Sequence, residues 1–227
     1  MKQYAVIVAG GRGLRMQAEI PKQFLNLNGS PVLMHTIEVL NRALAEDAEI
    51  ILVLPDDQIS FWNSLCVTYN FQIKHSIVEG GKTRFESVKN GLNTCVGQGI
   101  VGIHDGVRPL VTESFIQHCF AHAQRHGSAL PVVSINQSLR KRLDDGDSKP
   151  VDRDGMVSVQ TPQCFDLSAI KKAYEQGFHP RFTDDASVFE ADGNRVSLVD
   201  GEPTNIKITT PQDMKIAEAI TKSSAQG

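Results

Sequence analysis

The sequence predicts an α/β protein built on one open sheet with helices on both faces. Two observations predict this fold. Short apolar runs at residues 4–9 and 49–54 are typical of buried strands, and segments with apolar residues at helical spacing separate the strands. Strands that alternate with helices pair in parallel through right-handed crossovers. Because ligands of such sheets bind at the carboxyl ends of the strands, functional residues are expected just after each strand.

The remaining elements follow in chain order. Weaker strands are predicted at residues 73–78, 100–104 and 129–133, and helices at residues 32–44, 59–69, 85–95 and 115–123. The later part of the chain predicts helices at residues 167–174, 185–191 and 211–220, with strands at 195–199 and 205–209. Thr210 followed by Pro211 is typical of a helix start.

One stretch interrupts this alternation. Between Arg140 and Asp154, ten of fifteen residues are charged, five of each sign, and Asp145-Gly146 is a turn signal in the middle. A solvated loop is one interpretation. A projecting β-arm is the other, because residues 134–139 and 151–159 flank the turn and could pair across it. We expect one domain over residues 1–227.

Composition excludes several classes of protein. The 227 residues are 41% hydrophobic and 22% charged, which is typical of a globular chain and not of a disordered one. A net charge of -3 leaves no sequence-wide basic field for nucleic acid or an anionic membrane surface. The four cysteines form no CxxC pair, and no apolar run reaches membrane length. We therefore expect a cytoplasmic protein with no nucleic-acid or membrane partner.

The first candidate site follows the first strand. Gly10, Gly11 and Gly13 let backbone N–H groups approach an anion closely, and Arg15 and Lys22 add positive charge nearby. This pattern favours a phosphate-binding loop, although a Gly-rich turn alone is also a common connection. It is not a dinucleotide fingerprint, since the third glycine of that motif would fall at position 16.

A second glycine turn lies at Gly80-Gly81-Lys82-Thr83. It ends like a P-loop, but position 76 is serine where that motif needs glycine. Such a turn could admit a flat base against the backbone, with Ser87 free to hydrogen-bond the edge of the base. The alternative is a plain strand-to-helix turn with Ser87 in the first helical turn.

Two later segments, residues 104–109 and 205–209, contain charged residues that could reach the same crevice. Asp105 at the end of a strand suits a metal ion or a sugar hydroxyl, and Arg108 could pair with it or bind a substrate phosphate. His104 is more consistent with structural packing. Lys207 alternates with two isoleucines and would be a third cation in the crevice, unless it is an ordinary surface lysine.

Together these segments resemble the 2-C-methyl-D-erythritol 4-phosphate cytidylyltransferase family. The resemblance covers nearly the whole chain. Eight co-linear segments carry it, at residues 9–16, 21–24, 80–87, 104–109, 151–155, 160–163, 183–187 and 205–209.

The resemblance implies a fold, a reaction and an assembly. Family members have a Rossmann-like sheet and an extended arm, here residues 136–159, that exchanges between two subunits of a homodimer. They transfer CMP from CTP to the phosphate of methylerythritol phosphate and release pyrophosphate, with Mg²⁺ bound to the triphosphate.

The resemblance also implies roles for individual residues. Arg15 and Lys22 would stabilise the transition state, and Arg153 and Lys207 would position the sugar phosphate. The nucleotide would contact Ala9, Gly10, Gly11, Gly13, Gly81, Lys82, Ser87 and Gly106. The sugar phosphate would contact Asp105, Arg108, Ser138 and Thr161, several of them from the partner subunit. Asp105 is also a possible metal ligand.

Two alternatives stay open at this point. The loop reads Val8-Ala9-Gly10-Gly11 where the family commonly has Pro-Ala-Ala-Gly, and Gln137-Ser138 replaces an Asp-Thr pair. A sister family, the ribitol-5-phosphate cytidylyltransferases, shares several of the motifs, although residues 151–155 and 183–187 favour the isoprenoid enzyme. A nucleotide sensor without activity is the other alternative. It is disfavoured because a sensor needs affinity but not every transition-state charge.

Overall fold

The computed structural model describes residues 1–11 and 20–224. The strands in chain order are β1 (Lys2–Val8), β2 (Asn26–Leu27), β3 (Ser30–Pro31), β4 (Glu49–Leu54), β5 (Ser76–Glu79), β6 (Gly99–Asp105), β7 (Ser128–Ser134), β8 (Leu139–Arg142), β9 (Ser148–Val151), β10 (Val157–Val159), β11 (Gln163–Asp166) and β12 (Leu198–Asp200). The helices are α1 (Val32–Ala43), α2 (Asp56–Thr68), α3 (Arg84–Thr94), α4 (Glu113–His126), α5 (Leu167–Ala173), α6 (Asp185–Ala191) and α7 (Pro211–Ser224), with a 3₁₀ turn at Lys22–Phe24.

One sheet organises the described part of the chain. Its strands lie in the order β10-β7-β11-β6-β1-β4-β5, and β12 pairs with β7. Strand β1 is parallel to both β6 and β4, and β4 is parallel to β5. Strands β10 and β11 are antiparallel to their neighbours. The prediction of an open, mostly parallel sheet is confirmed.

Helices cover both faces of this sheet. Alternate residues of β1 explain how, since successive side chains of a strand point to opposite faces. Ala5 and Ile7 pack in a core with α1, α2 and α4, whereas Tyr4 and Val6 pack in a second core with α3, α5 and α6. All four side chains are buried. Among the described residues, no helix is long and apolar enough to cross a bilayer.

One strand prediction was wrong, and one strand of the main sheet was missed. Residues 205–209 do not form a strand. They cross the carboxyl edge of the sheet, where the Ile208 N–H donates to the Val107 carbonyl (2.9 Å). Their hydrophobic alternation arises because Ile208 is buried in a small third core beneath α7. Strand β11 was not predicted, since its four residues are too few to give a period.

The charged stretch forms a β-hairpin. Strands β8 and β9 pair antiparallel, with Leu139 opposite Val151, and Gly146 takes a φ of 89° in the turn. The structure therefore confirms a hairpin in this stretch and contradicts the plain loop. The flanking residues behave differently from the prediction, because β10 pairs with β7 in the main sheet and not across the turn. The exchange of this arm between subunits stays a prediction.

The strand ends place the glycine turns side by side. The ladder of the parallel strands continues for one bond beyond each end: Ala9 N–H donates to Val53 (3.0 Å), Gly80 N–H to Leu54 (2.8 Å) and Gly106 N–H to Val8 (3.0 Å). These bonds fix the start of each connecting loop to the neighbouring strand. The loops after β1, β5 and β6 therefore meet at one edge of the sheet.

Candidate active site

A cavity of about 280 Å³ lies at this edge. It opens where the chain, having placed β4 and β5 on one side of β1, returns to place β6 on the other. Such a reversal of strand order leaves a crevice that ligands of α/β sheets occupy. The lining includes nine residues that the sequence singled out: Ala9, Gly10, Gly11, Lys22, Gly81, Lys82, Ser87, Asp105 and Lys207. Gly13 and Arg15 lie outside the described residues.

Lys22 reaches the first glycine turn. It begins the 3₁₀ turn Lys22–Phe24 and is only 9% exposed. A Cβ atom added to Gly11 would lie 3.6 Å from Lys22 Cε, so the lysine stem passes along the loop. Phe24 anchors the turn by packing against the rings of Phe61 and Trp62 on α2. A cation is thus held beside the backbone of a glycine loop.

The second glycine turn is held by its own side chains. Thr83 and Glu86 form a reciprocal cap at the start of α3, with hydrogen bonds of 3.0 and 3.1 Å. The Ser87 hydroxyl accepts from the Gly81 N–H (3.0 Å) and donates to the Thr83 carbonyl (2.9 Å). A Cβ atom at Gly81 would lie 2.2 Å from Glu86 Cβ, so only glycine fits. Ser87 therefore shapes the turn that lines the cavity.

Asp105 is the charged centre of the cavity floor. Its Oδ2 lies 3.0 Å from Lys207 Nζ and 3.1 Å from Arg108 Nε. Burial by itself would raise the pKa of this carboxyl, but Lys207, Arg84 and Arg108 together hold it well below its usual range. The carboxylate is therefore ionised, and it draws Lys207 into the cavity as predicted.

Three predicted contacts lie behind the cavity and not in its lining. Arg108 also donates to the Asn205 carbonyl (2.8 Å), and Thr161 Oγ1 accepts from the Asp105 N–H (3.1 Å) and contacts His104 Nδ1 (3.1 Å). A Cβ atom at Gly106 would lie 2.8 Å from Ala9 Cβ, so this glycine permits close packing of two loops. These residues support Asp105 and Ala9, which do line the cavity.

The two arm residues are not brought to the cavity within one chain. Ser138 and Arg153 are exposed on the hairpin segment, and the Arg153 guanidinium donates to the Asn136 carbonyl. Both residues keep their predicted roles only if an arm from another subunit supplies them.

Sequence reasoning missed Arg84 as a cavity residue. Its guanidinium binds the fully buried Asp185 through two parallel bonds of 2.8 and 2.6 Å, and the Tyr174 hydroxyl donates to the same carboxylate (2.7 Å). The segment at residues 183–187 was identified as part of the family resemblance, but no role was predicted for Asp185. A pair separated by 101 positions leaves no local signal in one sequence.

Two glycine turns, three lysines and an ionised carboxylate thus line one cavity at the switch point of an α/β sheet. This arrangement defines a nucleotide-binding protein of the nucleotidyltransferase class.

Comparison with known proteins gives the family. The family model described as IspD, 2-C-methyl-D-erythritol 4-phosphate cytidylyltransferase, matches residues 3–223. A protein of that name from Bacteroides fragilis is 52% identical over 220 residues, which cover 97% of this chain and 100% of the relative. One from Clostridium novyi is 39% identical, covering 96% of each chain.

Solved structures agree. A 4-diphosphocytidyl-2C-methyl-D-erythritol synthase from Anaerococcus prevotii is 29% identical with a TM-score of 0.79, covering 97% of this chain and 98% of the other. A 2-C-methyl-D-erythritol 4-phosphate cytidylyltransferase from Thermus thermophilus is 29% identical with a TM-score of 0.75, covering 96% and 98%. The chain belongs to the 2-C-methyl-D-erythritol 4-phosphate cytidylyltransferase family, and its fold is Rossmann-like.

The buried pair of Arg84 and Asp185 gives a stability prediction. Asp185→Ala leaves the Arg84 guanidinium and the Tyr174 hydroxyl without their shared acceptor. We expect the free energy of unfolding to fall by about 2–4 kcal/mol, somewhat below the usual cost of breaking a buried pair, because Arg84 can still reach water in the cavity. Urea unfolding measures it. Lys172→Ala is the control, since it removes an exposed pair with Asp192 and should cost under about 1 kcal/mol. Equal losses in both variants would contradict the prediction.

His104 gives a pH prediction. Burial lowers the pKa of its imidazole from 6.5 to about 4. Between these values the unfolded chain binds a proton that the folded chain does not, so stability falls as the pH decreases from 6.5 towards 4. Each unit of pKa difference between the folded and unfolded chain is worth about 1.4 kcal/mol, so the free energy of unfolding falls by about 3 kcal/mol by the lower end of this range.

Urea unfolding at several pH values over this range measures the effect. His104→Asn has no titrating ring, so its stability should change less with pH than that of the wild type. A variant with the same pH slope as the wild type would show that His104 is not the group responsible.

Proposed function

We propose that this chain is a cytidylyltransferase that transfers CMP from CTP to 2-C-methyl-D-erythritol 4-phosphate, in the non-mevalonate route to isoprenoid precursors. The observation that carries the proposal is the convergence of Lys22 and Lys207 on a glycine-lined cavity, in a chain that the family model matches over residues 3–223. The relatives of highest identity reported above bear the name of this activity.

The reaction joins two anions. A phosphate oxygen of the sugar phosphate attacks the α-phosphorus of CTP and forms the new P–O bond. The bond from the α-phosphorus to the oxygen that bridges to the β-phosphate breaks, and pyrophosphate leaves with that electron pair. A phosphate monoester is mostly dianionic near neutral pH, so no nucleophilic side chain is needed. Repulsion between the phosphates is the main barrier, and positioned positive charge lowers it.

The chain has a group for each part of this task. Lys22 and the N–H groups of Gly10 and Gly11 face the triphosphate, and the Gly81–Ser87 turn receives the cytosine, together with Ala9 and Lys82. Lys207 holds the incoming phosphate. Arg15 and Gly13 join the triphosphate site by their place in the loop motif. Arg108 and Thr161 act through Asp105.

A divalent cation, Mg²⁺, fits this site as a companion of the nucleotide. Asp105 is the one carboxylate among the described residues of the lining, and those residues contain no cluster of three or more metal-ligating side chains. Mg²⁺ commonly takes one or two carboxylates and fills its other positions with substrate phosphates and water. The triphosphate and Asp105 would hold it here, where it neutralises phosphate charge.

A homodimer with exchanged arms would complete the site. Arg153 and Ser138 lie on the hairpin segment and outside the cavity of their own chain, so a partner's arm is the source from which they could reach the sugar phosphate. Light scattering of the purified chain measures this assembly, and an active monomer would remove both residues from the site. A cytoplasmic location is consistent with the four cysteines, which are free thiols.

Pyrophosphate release tests the function directly. The wild type should release pyrophosphate from CTP with 2-C-methyl-D-erythritol 4-phosphate and not with ribitol 5-phosphate. Lys22→Ala should lower kcat by roughly 10²–10³-fold, because it removes charge from the developing pentavalent phosphorus. The control Lys215→Ala removes an exposed lysine of α7 and should keep wild-type activity. A preference for ribitol 5-phosphate, or an unaffected Lys22→Ala variant, would contradict the proposal.

A further inference from the structure

Gln23 is a buried amide in the wall of the cavity. Only 1% of its surface is exposed, although glutamine is a residue that proteins usually leave in water. Its Nε2 donates both hydrogens, one to the Ala9 carbonyl and one to Gln58 Oε1, each at 2.7 Å. Burying a polar side chain is unfavourable unless it is hydrogen-bonded. The choice of glutamine at this position therefore needs an explanation other than packing.

The amide oxygen of Gln23 also argues against a role in packing alone. Gln23 Oε1 is buried and has no hydrogen-bond partner among the described residues. An apolar side chain of similar length would fill the same volume without an unpaired oxygen, which costs on the order of 1–3 kcal/mol. Packing alone therefore favours methionine or leucine over glutamine here. The bond that glutamine makes to Ala9 is the feature an apolar residue lacks.

That bond fixes one peptide of the glycine loop. The C=O and N–H of a trans peptide point in opposite directions. Because the Ala9 carbonyl is held by Gln23, the N–H of Gly10 in the same peptide is directed away from Gln23. Gly10 lines the cavity, on the loop where the triphosphate is expected. Gln23 thus orients an anion-binding N–H group.

The same side chain anchors the neighbouring cation. Lys22 and Gln23 are consecutive in the 3₁₀ turn, and Phe24 secures the following position through its contacts with α2. Gln58, the second acceptor of Gln23, lies on α2 as well. The turn is therefore tied to the end of β1 and to α2 at once. This arrangement sets the Lys22 backbone at a fixed distance from the Ala9-Gly10 peptide.

We propose that Gln23 is a positioning residue for the transfer reaction. It fixes the positions of the Lys22 ammonium and the Gly10 N–H relative to each other, so that both can face the α-phosphate. Both amide hydrogens of Gln23 are used within the protein and its side chain is almost fully buried, so we assign it a role through Lys22 and the Ala9-Gly10 peptide. The inference rests on the proposed function, because it assigns those two groups to the triphosphate.

Gln23→Met tests the proposal, since methionine keeps the volume and loses the bond. We expect kcat to fall about 10–100-fold, the range that a small misplacement of a catalytic group produces. The KM for the sugar phosphate should change less than about 3-fold. Gln117→Met is the matched control, because it removes the same kind of bond, from a glutamine amide to the Ala43 carbonyl, outside the cavity. Its kcat should equal that of the wild type.

A double variant separates positioning from a general structural role. If Gln23 acts in part through Lys22, Gln23→Met should slow the Lys22→Ala enzyme by a smaller factor than it slows the wild type. Losses that multiply, or a Gln23→Met enzyme within about 2-fold of wild-type kcat, would overturn the proposal.

Two further measurements keep the result interpretable. Thermal unfolding checks that Gln23→Met is folded at the assay temperature. Should it be unfolded, Gln23→Glu replaces it, since a carboxylate of the same size cannot donate to Ala9 and should show the same loss of kcat. A wild type that releases no pyrophosphate overturns the proposed function itself, whereas an active wild type with unaffected Gln23 variants overturns only this inference.

Discussion

The ion pairs of the Asp105 carboxylate with the two cations in contact with it are the interaction on which the cavity depends. A buried charge is strongly unfavourable unless it is paired and hydrogen-bonded. Asp105 meets this requirement with Arg108, three residues along the chain, and with Lys207, about a hundred residues along the chain. The second pairing draws the segment at residues 205–209 across the edge of the sheet. Lys207 remains 41% exposed, so its charge also faces the cavity.

The residues around Asp105 hold it in position for its ion pairs with Arg108 and Lys207. Its backbone N–H is held by Thr161, and the neutral ring of His104 joins Thr161 to the Arg108 carbonyl. The glycine turns after β1 and β5 are fixed by ladder bonds and side-chain caps. The cavity is therefore built from rigid supports, which suits a reaction that depends on fixed charge more than on a reactive side chain.

Much of this could be predicted from the sequence, because the signals are local. The run at residues 49–54 and the helix at residues 185–191 were placed with the bounds that the structure has, and the glycine turns follow the strands as expected. Lys207 was expected in the crevice from the alternation of its neighbours. That alternation was correct about direction even though no strand forms there.

The rest depends on pairs that are distant in the sequence. Nothing near Arg84 indicates that Asp185 neutralises it, and nothing near Asp105 indicates Lys207. Thr161 and Arg108 have the chemistry of ligand-binding groups, yet within one chain their hydrogen bonds are used to hold Asp105. Burial decides between the two uses, and burial is a property of the whole fold. The same reason explains Gln23, whose sequence position beside Lys22 does not reveal that it is enclosed.

The central claim is that Lys22 and Lys207 bring the two phosphate groups together. A crystal structure of the protein with CTP and an unreactive analogue of the sugar phosphate would test it most directly. The account predicts that Lys22 Nζ lies within hydrogen-bond distance of the triphosphate and Lys207 Nζ within hydrogen-bond distance of the acceptor phosphate, in the cavity above Asp105. A complex in which the nucleotide is bound but both ammonium groups point away from phosphate oxygens, in every subunit, would contradict it.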